Sequence, residues 1–189
     1  MFNSIYNFEQ AKKQYYIDLV NGYGPYRIFN TLTFQSLIND EQGRAIADIY
    51  WRRLNKKVFD MYRCPANTCL HGVVVLERKS IRKDRKGRKN PHFHFLIKDH
   101  PILSDDIDKA VDEIQLAGVK ASRNFKTFSG RRLVSKKKGV HTCEAYDDGV
   151  VGYLSKEATQ WGWKAVDRVF LLDKKGLVSF DATPSHKMF

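Results

Sequence analysis

His92 and His94 stand two residues apart in the run PHFHFLI (91–97), with Phe93, Phe95 and Ile97 at the alternate positions. A strand sends successive side chains to opposite faces, so this spacing predicts two imidazoles on one face and an apolar set on the other. Two neutral imidazoles held that close can share one divalent cation. A second strand-like run, HGVVVLER (71–78), precedes it, and the polar, glycine-bearing segment KSIRKDRKGRKN (79–90) joins the two as a hairpin with a long basic tip. If the hairpin pairs in register, the carboxylate of Glu77 reaches a cation held by His92 and His94. The competing reading is two half-buried histidines on an ordinary sheet. An acidic residue across the hairpin, with a suitable tyrosine later in the chain, favours the metal.

Tyr153 and Lys156 (YLSK, 153–156) lie three apart in the stretch Asp148 to Thr159, which reads as a helix, and so share one face. An ammonium there lowers the cost of a phenolate or neutralises a phosphate beside it. A tyrosine hydroxyl, with a pKa of about 10, is a poor nucleophile at neutral pH. On a phosphodiester beside a metal ion it can form a covalent phosphotyrosine and keep the bond energy for rejoining. Tyr-x-x-Lys alone is usually surface packing; its place after a His-x-His strand gives it weight. Tyr15 and Tyr16 are weaker candidates, because no metal ligand precedes them and Tyr15 belongs to an apolar stripe.

The elements that must position these groups read as follows. Asn7 to about Leu19 is an amphipathic helix, with Phe8, Ala11, Tyr15 and Leu19 on one face. YRIFNTLTF (26–34) alternates and is rich in β-formers, which predicts the first strand. Ser36 can cap a long basic helix running to about Met61, with an interruption at Gln42 and Gly43. Ser104 can cap another that runs to about Leu116 and stops before Gly118. Lys120 to Lys138 is basic and irregular. A strand follows at Val140 to Tyr146, then the helix carrying Tyr153, and a last strand at Arg168 to Asp173. The order β, α, β, β, α, β, α, β with a long hairpin predicts an α+β domain, helices over a partly antiparallel sheet.

At 189 residues and 42% hydrophobic composition the chain suits one globular domain, 1–189, with a core at about 26–175 and an N-terminal helical extension over 1–25. The formal net charge of +12 favours a polyanionic partner. No apolar run approaches a membrane span, and Met1 to Gln10 has neither the basic start nor the apolar core of a signal peptide, so the expected compartment is the cytoplasm. Three cysteines do not suggest a disulfide framework. Cys64, Cys69, His71, His141 and Cys143 are candidates for a structural zinc, at a spacing that fits no standard pattern.

Taken together, FNTLTF (29–34), PHFHFLI with His92 and His94, and Tyr153 to Lys156 resemble, in order, the three motifs of the replication-initiator branch of the HUH endonucleases. Conjugative relaxases share the metal motif but carry the tyrosine near the N-terminus. The resemblance covers about residues 26–160 and implies an antiparallel sheet of about five strands with an RNA-recognition-like arrangement. It implies a site-specific single-strand nickase and ligase dependent on Mn²⁺ or Mg²⁺, which acts at a replication origin of a plasmid, phage or virus. A viral replicon of a eukaryote would place it in the nucleus. It also suggests Glu77 as third ligand, with His100 the rival. Tyr153 would be the nucleophile and Lys156 would position the phosphate or the ion.

Two departures from the branch bear on partners. One motif tyrosine, not two, means that a full replication cycle needs a second subunit, as in a homodimer, or a second molecule. No phosphate-binding glycine loop is present, so a host helicase must separate the strands and a host polymerase extend the 3′ end. The tip residues Arg82, Lys83, Arg85, Lys86, Arg88 and Lys89, with Arg131 and Arg132 downstream, are candidate DNA-phosphate contacts. Trp161 and Trp163 can stack on bases or pack a helix on the sheet. A single-tyrosine transposase and a non-catalytic nucleic-acid-binding module are the alternative readings.

Overall fold

Strand β3 (His92–Lys98) lies inside the sheet and carries an apolar face and a polar one, so everything around it must satisfy both. A computed structural model describes residues 11, 14–15, 18–35, 38–60, 68–77, 92–136, 138–146 and 169–179. Along the chain come an N-terminal helical segment that includes residues 18–22, β1 (Tyr26–Thr33), helix α1 (Asp40–Phe59) and β2 (Gly72–Glu77). After β3 follow helix α2 (Ile107–Ser122), β4 (Val140–Glu144), β5 (Val169–Asp173) and β6 (Gly176–Ser179). The strands form one open sheet in the order β4-β1-β3-β2-β5-β6, and every neighbouring pair is antiparallel. The α+β class is as expected; the sheet has six strands instead of about five. The additional strand, β6, turns back on β5 through Lys174 and Lys175, where Gly176 takes φ +113° and the Asp48 carboxylate accepts from the Leu177 amide at 3.0 Å.

On one face, Ile28, Leu32, Phe93, Phe95, Ile97, Val74, Leu76, Phe170 and Leu172 are buried beneath α1 and α2. Trp51 stacks on Phe95 and its indole N–H donates to the Asp173 carbonyl at 2.9 Å. Each large apolar side chain so enclosed contributes on the order of 1.5–3 kcal/mol. The other face carries a smaller apolar cluster, Val73, Val75, Leu96 and Val169, covered by Leu19 and Val20 of the N-terminal segment. Tyr15 is 54% exposed instead of lying on that covered stripe.

Element boundaries shift for identifiable reasons. Helix α1 starts at a capping box on Asn39, in which the Asn39 side chain accepts from the Gln42 amide, so Gln42 and Gly43 belong to the first turn and do not interrupt the helix. Asp106, not Ser104, caps α2 through the amides of Asp108 and Lys109. Helix α2 runs through Gly118, because that glycine is a packing position and not a stop. A buried chain of hydrogen bonds passes beside it. Tyr50 Oη donates to Asn30 Oδ1 (2.9 Å), Asn30 Nδ2 to Thr142 Oγ1 (2.8 Å), Thr142 Oγ1 to Gln115 Oε1 (2.8 Å) and Gln115 Nε2 to the Val140 carbonyl (3.2 Å). Burial raises the Tyr50 phenol pKa above its ordinary value, and the bond to Asn30 opposes that only in part.

A methyl group at Gly118 would stand 2.4 Å from Tyr50 Oη and 3.0 Å from Val140 Cγ1. Gly118→Ala should therefore destabilise the domain by about 1–3 kcal/mol through overpacking and loss of the Tyr50 bond, despite alanine's better helix propensity. Chemical denaturation measures it, and a stabilised variant would contradict the packing role.

Candidate metal centre

Pairing with both neighbours of β3 assembles the site. Glu77 is the register partner of His92 in β2, and in β1 Thr33 is the partner of His92 and Thr31 of His94. Alternation places Glu77, His92, His94, Thr31 and Thr33 on the face opposite the helices. Glu77 and His94 are buried, at 3% and 6% exposure, where polar side chains are rare unless paired.

The histidines are oriented from behind. Thr31 Oγ1 is 3.0 Å from His94 Nδ1, and Thr33 Oγ1 is 3.0 Å from His92 Nδ1. With Nδ1 engaged, it is Nε2 of each ring that faces the site. His94 Nε2 lies 2.7 Å from Glu77 Oε2, and the ring stacks on Phe29 at 5.2 Å between centroids. His92 Nε2 is buried with no hydrogen-bond partner among the described residues. An orphaned polar atom of this kind costs about 1–3 kcal/mol and calls for a ligand. Burial lowers the His92 pKa below the usual imidazole value; the nearby His94 adds to the shift and Glu77 opposes it. The neutral ring, the form that offers a lone pair, is thereby favoured.

These donors fit a divalent cation in kind and in facing. Among the described residues no three His, Cys, Asp or Glu side chains stand arranged to hold an ion as they are, and Glu77 and His94 are closed on each other. The hydroxyls of Thr31 and Thr33 supply the supporting bonds that metal-bound imidazoles normally make through the other ring nitrogen.

His100 is excluded as a ligand. It lies beyond the opposite end of β3 from His92, edge-on to Phe59, and its Nδ1 accepts from the Ile102 amide. The zinc arrangement is excluded for the described part of its set. Cys69 and His71 precede β2, while His141 and Cys143 lie on β4, three positions away in the strand order and hence about 14 Å across the sheet. Arg131 and Arg132 are exposed on the segment between α2 and β4. Tyr153, Lys156, Arg82, Lys83, Arg85, Lys86, Arg88 and Lys89 lie outside the described residues, as do Cys64, Trp161 and Trp163. Thr31, Thr33 and Phe29 are the site residues that sequence reading missed. The pattern Thr-x-Thr in the first strand was the available signal. Comparison with protein-family models, with curated proteins and with solved structures finds no match to this chain.

Thr33→Val keeps the side-chain shape and removes the hydroxyl that orients His92. It should leave folding nearly unchanged and weaken Mn²⁺ binding about 10- to 100-fold, as read by titration calorimetry. Wild-type affinity in this variant would show that the threonine does not set the ring.

Proposed function

We propose that this chain is a metal-dependent DNA endonuclease and nucleotidyltransferase of the HUH type. It nicks and rejoins one strand at a specific site through a covalent 5′-phosphotyrosine, and so initiates rolling-circle-type replication. The observation that carries the reading is the site on one sheet face: His92, whose buried Nε2 has no partner among the described residues, on the same face as His94 and Glu77, which are 2.7 Å apart. A net charge of +12 suits a polyanionic substrate, and no helix among the described residues is long and apolar enough to cross a membrane.

His92, His94 and Glu77 would hold Mn²⁺ or Mg²⁺, and mixed imidazole and carboxylate donors suit the softer Mn²⁺ better. When bound, the ion supplies positive charge against the charge that develops during phosphoryl transfer. Thr31 and Thr33 keep both rings turned so that Nε2 faces the site. The Tyr153 hydroxyl attacks the scissile phosphorus; the bond from phosphorus to its oxygen forms as the bond to the 3′-oxygen breaks. The phenol's proton is lost, and the departing oxygen becomes the free 3′-hydroxyl that a polymerase extends. Lys156 holds a non-bridging phosphate oxygen. Reversal by an incoming 3′-hydroxyl rejoins the strand and frees the tyrosine.

A water nuclease leaves a free 5′-phosphate, whereas tyrosine attack leaves the protein joined to the 5′ side of the break. Incubation with cleavable single-stranded DNA and Mn²⁺ should give a denaturation-resistant adduct that peptide mass maps to Tyr153. Tyr153→Phe should lose adduct and nick together while still binding DNA. His94→Ala should remain folded and bind DNA with nicking reduced to background. Nicking without an adduct, or full activity in excess chelator, would overturn the reading.

A further inference from the structure

The segment between α2 and β4 carries a feature the metal centre does not use. Phe128 is 112% exposed, more open to water than any other large apolar side chain described. It sits at the tip of a small hairpin built to hold it there. Lys126 and Arg132 form a β-bridge, the Thr127 amide donates to the Arg131 carbonyl at 2.7 Å, and the Gly130 amide donates to the Thr127 carbonyl at 2.9 Å with Gly130 at φ +79°. The Thr127 hydroxyl accepts from the Arg131 amide at 3.0 Å. A ring displayed on a pinned turn is not a loosely exposed core residue.

At the root of this hairpin is a cleft of about 360 Å³ lined by Ser122, Arg123, Arg132, Ser135 and Lys136 over an apolar floor of Val119, Val134 and Val140. None of its three cations pairs with a carboxylate among the described residues. The segment is fastened to the end of β1 that supports the histidines. The Thr33 amide donates to the Gly139 carbonyl at 2.8 Å, Phe34 bridges Val134, and the Gln35 amide donates to the Leu133 carbonyl at 2.9 Å. Cleft and tip are therefore tied to the end of β1 that meets His92, with the cleft on the α2 side of the sheet and the histidines on the other face.

We propose that residues 125–133 are a base-stacking finger and that Arg123, Arg132 and Lys136 form a phosphate cleft at its root, so that together they hold an unpaired base and a nearby phosphate of one single strand. The inference rests on the DNA reading above and adds residues to it. A lone ring is too small for a protein-docking patch, and its flanking Lys126, Arg131 and Arg132 would disfavour an apolar partner. Ring and cations together match a base and its phosphate. The base must be unpaired, because stacking on an exposed ring needs a free face.

The test uses the full chain and a random-sequence single-stranded oligonucleotide carrying 2-aminopurine. Wild type should quench the probe as the base stacks. Phe128→Ala should abolish quenching and weaken binding about tenfold while leaving the salt dependence intact. Because Phe128 touches solvent, folding should not change. The combined Arg123→Ala, Arg132→Ala and Lys136→Ala variant should instead flatten the slope of log affinity against log salt by at least about 0.7, the share of the slope that each neutralised phosphate of a single strand supplies. Wild-type quenching and affinity in Phe128→Ala overturn the finger, and an unchanged slope in the combined variant overturns the cleft. If both fail while wild type still binds DNA and forms the Tyr153 adduct, this inference falls and the proposed function stands. Wild type that neither binds the oligonucleotide nor forms an adduct removes both.

Discussion

The constraint on which the rest depends is the register of β3 between β1 and β2. Glu77 and Thr33 meet at His92 from either side, and Thr31 meets His94. A slip of one residue in either pairing would turn every side chain of the moved strand to the other face, leaving the carboxylate among the phenylalanines. What prevents the slip is the opposite face of the same strand. Phe93, Phe95 and Ile97 are fully buried, and Tyr50 and Trp51 of α1 close on the Phe95 ring. Gly72 adds a steric check, since a side chain there would stand 1.9 Å from the Leu96 carbonyl oxygen. The apolar pattern that folds the domain is therefore the same pattern that aligns the polar groups.

Alternation also explains how a domain tolerates groups that cost stability. A buried carboxylate, a buried histidine and an orphaned imidazole nitrogen each work against folding. They share strands with residues whose burial on the other face is worth more. Along the polar face the environment is graded: Leu96 is covered by the N-terminal segment, His94 is nearly covered, and His92 is only half-buried. Tyr26 fastens that segment by donating its hydroxyl to the Val20 carbonyl at 2.5 Å, and its burial raises the phenol pKa. Among the described residues, the segment thus encloses the Leu96 end of the face and not the His92 end.

How much of this was legible in the sequence depended on how local the cause was. His-x-His and Glu77 could be read because period-two alternation and hairpin geometry are properties of short segments. The Thr-x-Thr pair has the same period, but its meaning depends on β1 lying beside β3, a pairing between residues more than fifty apart. Gly118 looked like a helix stop because nothing nearby in the sequence announces that a tyrosine hydroxyl from another helix occupies the space of its missing side chain. Strand β6 was missed because four residues after Lys-Lys carry little signal, and the turn before it is held by Asp48 from a distant helix. Ser36 reads as the cap of α1, but the cap is Asn39. The reciprocal bonds of Asn39 with Gln42 depend on side-chain geometry that residue type alone does not give.

The placement of charge gives the last step. The described face offers one carboxylate to two imidazoles, so a doubly charged ion there would leave the site net positive and ready for an anionic oxygen. Arg123, Arg132 and Lys136 extend the positive field from the same end of the sheet. A strand of phosphates drawn to that end by cations alone would be held without regard to position. On the reading proposed above, something must convert this loose attraction into a fixed position along the strand. A ring that can take one unpaired base, tied through β1 to the threonines that orient the histidines, is placed to do so.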